Sequence, residues 1–158
     1  MKRAVWVSMI LFFTIAFSFG QDVSRLLNVK KIYIGDLGRE EGSDLVREKI
    51  RVRLMKTDRF VVVEKPELAD AVLTGVAGVE RQYTSSVSTD SNGKVSGEGT
   101  TTFAGLGVLR LVDVKTSEAI WLFEYKRGFG FKGASSRVAD QTVGKLLKDV
   151  KAAKQRKP

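Results

Sequence analysis

Residues 29–63 read VKKIYIGDLGREEGSDLVREKIRVRLMKTDRFVVV, and they contain the most informative pattern of the chain. Residues 29–37 place two isoleucines on one face and end in Gly-Asp-Leu, which predicts a strand. Residues 43–55 carry apolar side chains at helical spacing, and they begin with Ser43, a good N-cap residue. Residues 60–63, FVVV, are typical of a short strand covered on both faces. A strand, a helix and a second strand predict a βαβ unit whose two strands are parallel.

Beyond this unit, the chain continues with strand patterns and closes with a helix. Residues 71–82, 106–114 and 119–127 predict three more strands, and an apolar stripe that begins near Ser135 predicts the last helix. The expected fold class is α/β (α+β), a two-layer mixed sheet with both helices on one face, in the order β-α-β-β-β-β-α. We expect a single domain over residues 29–152.

Residues 84–102 interrupt this pattern with a Ser/Thr-rich segment around Asn92-Gly93. Asn-Gly between β-permissive stretches favours a two-residue type I′ turn, in which both central residues have positive φ. Val87 and Val95 are the aliphatic residues of the segment. Two interpretations follow: a protruding polar hairpin with a mobile outer half, or a disordered loop of low complexity.

The first twenty residues have the pattern of a secretory signal peptide. A basic start, MKR, precedes an apolar run from Ala4 to Phe19, and small residues precede the junction of Gly20 and Gln21. We expect cleavage between those two residues, an N-terminal linker over 21–28, and a periplasmic or secreted mature protein. The alternative is an uncleaved membrane anchor, for which this run is short against the roughly 20 apolar residues of a spanning helix.

Composition excludes several kinds of chemistry. The chain has no cysteine and no histidine, which excludes disulfides, a lipidated cysteine, catalytic triads built on Cys or His, and soft-ligand metal sites. Two of the 27 Lys and Arg residues lie in the first twenty residues, so the remainder keeps a net charge of about +7. We expect no catalytic residue, no metal and no cofactor.

Residues 128–133, GFGFKG, match the pattern G-x-G-x-x-G between a predicted strand and the predicted last helix. No second strand with an acidic residue follows, and two phenylalanines stand where the backbone would approach a phosphate, so we expect no nucleotide binding. The amides of a helix start can hold a lone anion, but a flexible connection is the simpler interpretation. Ser135 and Ser136 near Lys132 suggest either a Ser/Lys pair or, more simply, N-cap residues.

Two candidate partner surfaces emerge, and the first is an aromatic stripe. Trp121, Phe123 and Tyr125 lie on one face of the predicted strand 119–127. If that face lies under the helices, the stripe is core, an interpretation that we favour because large aromatic side chains stabilise mostly by burial. If it lies on an open sheet face, the stripe is a surface for a partner or for self-association.

The second candidate surface is the basic end of the last helix, with a basic tail over residues 153–158. Lys145, Lys148 and Lys151 are its candidate contacts for an anionic membrane surface or an acidic partner. The alternative is a solvated helix end whose cations suit the helix dipole.

Three segments carry a resemblance to a known group of proteins. RFVVVE (59–64) and ADAVLTG (69–75) resemble a pattern of polar-aromatic strand, Ala-Asp, and a strand that ends in Thr-Gly. LVDVKTSEAIW (111–121) resembles the hairpin of the same group, with Ser117 in place of the usual turn glycine. The group consists of bacterial envelope domains: the periplasmic domain of curli-secretion channel lipoproteins, the N-terminal domain of the Tol-system translocation protein, and lipoprotein activators of penicillin-binding proteins.

The resemblance spans residues 29–152 and implies an α/β domain that binds other envelope components or assembles into rings, without enzyme activity. We therefore expect an exported, non-catalytic binding or assembly component of the bacterial cell envelope, whose partners are envelope proteins or copies of itself. The alternative is a peripheral membrane- or glycan-binding protein that uses its basic last helix. Nucleic acid is not an expected partner, because no aromatic residues are interleaved with the basic ones and an exported location is wrong for it.

Overall fold

The computed structural model describes residues 23–126 and 133–156. Over these ranges the chain forms three α-helices, five strands and one 3-10 turn, in the order that the sequence predicts apart from the first helix and the 3-10 turn. The elements are α1 (Val23–Leu26), β1 (Lys31–Ile34), α2 (Ser43–Met55), β2 (Val61–Val63), the 3-10 turn (Pro66–Leu68), β3 (Ala71–Thr89), β4 (Val95–Asp113), β5 (Ala119–Lys126) and α3 (Ala134–Arg156).

The five strands form one mixed sheet in the order β2-β1-β3-β4-β5. β1 pairs in parallel with both β2 and β3, whereas β3, β4 and β5 are antiparallel. The parallel βαβ unit and the α+β fold class are therefore confirmed. The expectation that FVVV (60–63) is covered on both faces is wrong, because β2 is a three-residue edge strand and Val61 is 58% exposed.

The helices lie against one face of the sheet and enclose the hydrophobic core between the two layers. α2 and α3 also pack on each other: Lys49 Nζ donates to Ser135 Oγ and Ser136 Oγ at 2.9 and 2.8 Å, and Arg53 pairs with Asp140. The core draws on both layers, and its large members include Leu26, Ile32, Ile34, Val46, Ile50, Leu54, Leu73, Leu109, Leu111, Trp121, Val138 and Leu146.

The domain is longer at both ends than the predicted range of 29–152. The expected linker contains α1, and Leu26 is completely buried in the core. The expected basic tail begins inside α3, and Ala153 is 5% exposed. The anchoring of these two residues makes residues 23–28 and the last turn of α3 part of the folded unit.

The two long helices begin before the predicted caps, α2 by one residue and α3 by at least two. Gly42 precedes α2 and accepts the first helical hydrogen bond from Val46, so that Ser43 is the first residue of the helix. Gly133 plays the same part for α3, whose Arg137 N–H bonds to the Gly133 carbonyl. The predicted serine caps are therefore wrong. Ser135 instead accepts a hydrogen bond from α2.

The β3–β4 hairpin is paired out to Thr89 and Val95, so the alternative of a disordered loop is wrong. Its turn is not the expected type I′. The Asp90 N–H bonds to the Lys94 carbonyl, the Gly93 N–H bonds to the Asp90 carbonyl, and Gly93 alone in the turn has positive φ, at 76°. This is the three-residue loop built from a type I turn and a bulge in which glycine supplies the left-handed conformation.

Two further backbone features fix the ends of the strands. Ser117, in the turn between β4 and β5, has a φ of 58°, a left-handed conformation that costs a non-glycine residue energy. Asp70 precedes β3, and its Oδ2 accepts hydrogen bonds from the backbone N–H groups of Lys30 and Lys31 at 2.9 and 2.8 Å. These two N–H groups, that of Lys31 first, hold the pKa of the Asp70 carboxyl below its ordinary value.

Candidate binding surfaces

The face of the sheet opposite the helices is uncovered by any helix of the described ranges. We call it the open face. Cross-strand pairing places Val76 opposite Val108 and Leu122 opposite Arg110 on this face. Val61, Val76, Val108 and Leu122 are 58%, 42%, 50% and 52% exposed. Val76 and Val108 are direct neighbours on β3 and β4, and exposed apolar neighbours of this kind are candidates for an interaction surface.

Charged side chains of both signs accompany these apolar residues. Arg110 and Glu124 lie on the open face of β4 and β5, and neither makes an ion pair within residues 23–126 or 133–156. Lys31 and Lys126 lie at the ends of β1 and β5 and are exposed at the edge of the same face. The open face thus combines apolar residues with charges of both signs: Arg110 and Glu124 lie beside Leu122 and Val108, and Lys31 and Lys126 lie at the edge.

The aromatic stripe lies on the other side of the sheet, under α3. Trp121 is 1% exposed, and Phe123 and Tyr125 are partly buried against the core. Trp121 Nε1 donates to Asp149 Oδ2 at 2.9 Å, and Lys145 Nζ donates to the same carboxylate. Trp121 therefore belongs to the core rather than to a partner surface. Lys145, one of the predicted partner contacts, forms an ion pair with Asp149.

The outer hairpin is a second exposed surface, and it is amphipathic. We call residues 81–103 the arm; residues 81–100 are all exposed. Its register places Tyr83, Val87 and Val95 on one face, with exposures of 67%, 72% and 64%. The opposite face pairs Ser86 with Glu98 and Ser88 with Ser96, and it is entirely polar at those positions. This asymmetry was missed in the sequence because serine and threonine separate the apolar residues.

The basic end of α3 forms one side of an open groove of about 580 Å³. Its other side comes from the chain between α1 and β1 and from the residue that precedes Phe60. We call it the basic groove, and its residues are Leu27, Arg59, Leu147, Val150, Lys151 and Lys154. Of the predicted lysines, Lys151 lies in this groove. Lys148 is exposed on the same helix but is not among the groove residues.

The remaining motifs provide no catalytic arrangement among the described residues. No three Asp or Glu side chains come together as a metal site in the described ranges. The GFGFKG motif falls on residues 128–133, of which only Gly133 is described, and Lys132 of the suggested Ser/Lys pair also lies outside the described residues. The lysine that contacts Ser135 and Ser136 is Lys49, and Ser135 is 7% exposed, so this contact ties the two helices together.

None of the helices in residues 23–126 and 133–156 combines the length and the hydropathy that a bilayer span requires. The signal-peptide prediction, with Gly20 and Gln21 at the cleavage site, falls on residues outside the described ranges.

No protein-family model and no curated protein matches the chain. Among solved structures, a PelC dodecamer from Paraburkholderia phytofirmans shares 19% identity, covers 77% of this chain and 85% of its own, and has a TM-score of 0.47. A second crystal form of PelC gives 16% identity, coverages of 77% and 86%, and the same TM-score of 0.47. An uncharacterized lipoprotein B from Nitrosomonas europaea gives 24% identity, coverages of 80% and 79%, and a TM-score of 0.37.

Proposed function

We propose that this chain is an exported, non-catalytic component of the bacterial cell envelope that associates with a second copy of itself through the open face. The basic start, apolar run and small-residue junction of residues 1–20 support export. The resemblance of RFVVVE (59–64) and ADAVLTG (69–75) to envelope domains supports the location. The absence of histidine and cysteine from the sequence supports a role in binding rather than catalysis.

The observation that carries the proposal is the group of exposed apolar side chains on the open face. Val76, Val108 and Leu122 are each about half exposed on neighbouring strands. Covering such side chains removes apolar area from water and stabilises an associated state by about 25 cal/mol per Å². Lys31 and Lys126 at the edge of the face remain in contact with water, which limits the cost of their desolvation.

The charges of the open face favour a second copy as the partner. A two-fold interface must be self-complementary, because each residue contacts a residue of the same surface on the other copy. Arg110 on β4 and Glu124 on β5 carry opposite charges and are diagonal neighbours, because Arg110 pairs with Leu122, two residues before Glu124. A two-fold axis between them sets Arg110 of each copy against Glu124 of the other.

A photo-crosslinking amino acid tests this proposal in the protein of residues 21–158, which contains every core residue. Benzoylphenylalanine replaces Leu122 on the open face or, as a control, Val52, which is 47% exposed on α2 in the other layer. We expect irradiation to join two copies through position 122 and not through position 52. Equal adducts from both positions, or none from position 122, contradict the proposal.

A further inference from the structure

The basic groove contains a cation that the fold holds in place without neutralising it. Arg59 Nη2 donates to the backbone carbonyls of Leu26 and Leu27 at 3.4 and 2.9 Å. The guanidinium also lies 4.8 Å from the centroid of the Phe60 ring. These partners are neutral, so they fix the orientation of Arg59 while its positive charge remains uncompensated. A fixed guanidinium loses little conformational freedom when it binds an oxyanion.

Two lysines from a different element extend this charge. Lys151 and Lys154 are exposed one turn apart on α3, and neither is ion-paired within the described residues. Lys145, one turn before Asp149, is by contrast bound to that carboxylate. No acidic residue follows Asp149 in the chain. A helix dipole alone would explain cations at the end of α3, but not the third cation that Arg59 adds from across the groove.

The floor between these cations is apolar. Leu27 and Leu147 are partly buried against the core, and Val150 is 8% exposed. A free phosphate would use the cations and leave this floor in water, whereas an uncharged apolar ligand would use the floor and leave the cations unpaired. The combination fits an amphiphile that has an anionic head and an apolar body. The groove volume of about 580 Å³ is within the usual range for such ligands.

We propose that the basic groove binds an acidic phospholipid of a membrane surface. The phosphate lies among Arg59, Lys151 and Lys154, and the first part of the acyl chains lies on the apolar floor. A membrane fits better than an acidic peptide because Lys148 and Arg156 extend the positive surface beyond the groove. A planar anionic surface attracts all of these cations at once, at about 1 kcal/mol for each that comes near it. The groove lies in the helix layer, opposite the open face, so this proposal and the proposed self-association can fail separately.

Vesicle flotation of residues 21–158 tests the proposal. The probes are phosphatidylcholine vesicles with and without phosphatidylglycerol. We expect binding only to the vesicles that contain phosphatidylglycerol, and a decrease of about 30-fold for the double variant Lys151→Gln/Lys154→Gln. The matched control, Lys65→Gln/Lys94→Gln, removes the same charge from exposed positions outside the groove. It should change binding by less than about threefold. Equal losses in both double variants indicate attraction by net charge alone and overturn the proposal.

A second measurement distinguishes a lipid from a free phosphate and does not depend on any variant folding correctly. Methyl resonances of Leu27 and Leu147 are followed during titration with short-chain phosphatidylglycerol or with glycerol 3-phosphate. We expect saturable shifts with the lipid and none of comparable size with glycerol 3-phosphate, because the latter has no apolar part for the floor. Equal responses to the two compounds, or no response to the lipid, contradict the proposal.

Discussion

Replacement of Trp121 by phenylalanine measures how much the buried aromatic contributes to stability. Trp121 is 1% exposed, so the smaller ring leaves a gap in the core that costs about 1–2 kcal/mol. The variant also loses the hydrogen bond from Nε1 to Asp149 Oδ2, at 2.9 Å. A bond to a charged group contributes about 1.5–3 kcal/mol. We use the lower value because Lys145 still binds the carboxylate. The expected total loss is about 3 kcal/mol of the free energy of unfolding.

The assay is urea unfolding of residues 21–158, followed by far-UV circular dichroism at one fixed protein concentration. Concentration is fixed because association would add to the apparent stability. The loss should lower the unfolding midpoint by at least about 1 M urea. The adjacent residue, Leu122, is 52% exposed on the opposite face, so Leu122→Ala should cost less than about 1 kcal/mol. If Leu122→Ala costs as much as Trp121→Phe, the assignment of the two sheet faces is wrong.

Three further substitutions have separate expected outcomes. Gly75 has a φ of 144°, and a Cβ there would collide with a β4 carbonyl oxygen, so Gly75→Ala should cost more than about 3 kcal/mol in thermal or urea unfolding. A Cβ at Gly97 has room in the arm, so Gly97→Ala should cost less than about 0.5 kcal/mol. If the two glycine variants lose similar amounts of stability, the strained geometry assigned to Gly75 is wrong. Ser117→Gly should raise the melting temperature, because glycine adopts the φ of 58° without strain, whereas the control Thr116→Gly should lower it. Asp70→Ala should cost about 1–3 kcal/mol at pH 7. Because the folded pKa of this carboxyl lies below the unfolded value of 3.8, its contribution is present above that pH and is lost as the pH falls through the folded pKa. The difference in the free energy of unfolding between Asp70→Ala and the parent protein should therefore decrease in acid. A difference that stays constant down to pH 2 would contradict the hydrogen bonds assigned to Asp70.

The elements that the sequence predicted correctly are those with a strong local pattern. The helical spacing of residues 43–55 and the alternation within residues 119–127 depend on near neighbours, and both elements form where expected. The FVVV run at 60–63 correctly predicted a parallel strand but wrongly predicted cover on both faces. A run of valines has no period that could distinguish an edge strand from a central one. The four-residue helix α1 is too short to show any period.

The candidate surfaces were harder to predict because they depend on residues that are distant in the sequence. The apolar face of the arm appears only when the register pairs Val87 with Gly97 and Thr89 with Val95. The basic groove joins Arg59 to Lys151, and no motif links two such positions. The basic end of the last helix was recognised from composition, but its apolar floor and its fixed guanidinium come from tertiary packing.

Size-exclusion chromatography with light scattering on residues 21–158, at low and high salt, measures self-association through the open face. We expect a discrete dimer that persists at high salt, because burial of apolar side chains is not screened by ions. We also expect Leu122→Arg to convert the dimer to a folded monomer, because a second guanidinium directly opposite Arg110 leaves an uncompensated positive charge in the interface. A parent protein that is monomeric at every concentration and salt, or a dimer that Leu122→Arg leaves intact, would contradict self-association through the open face.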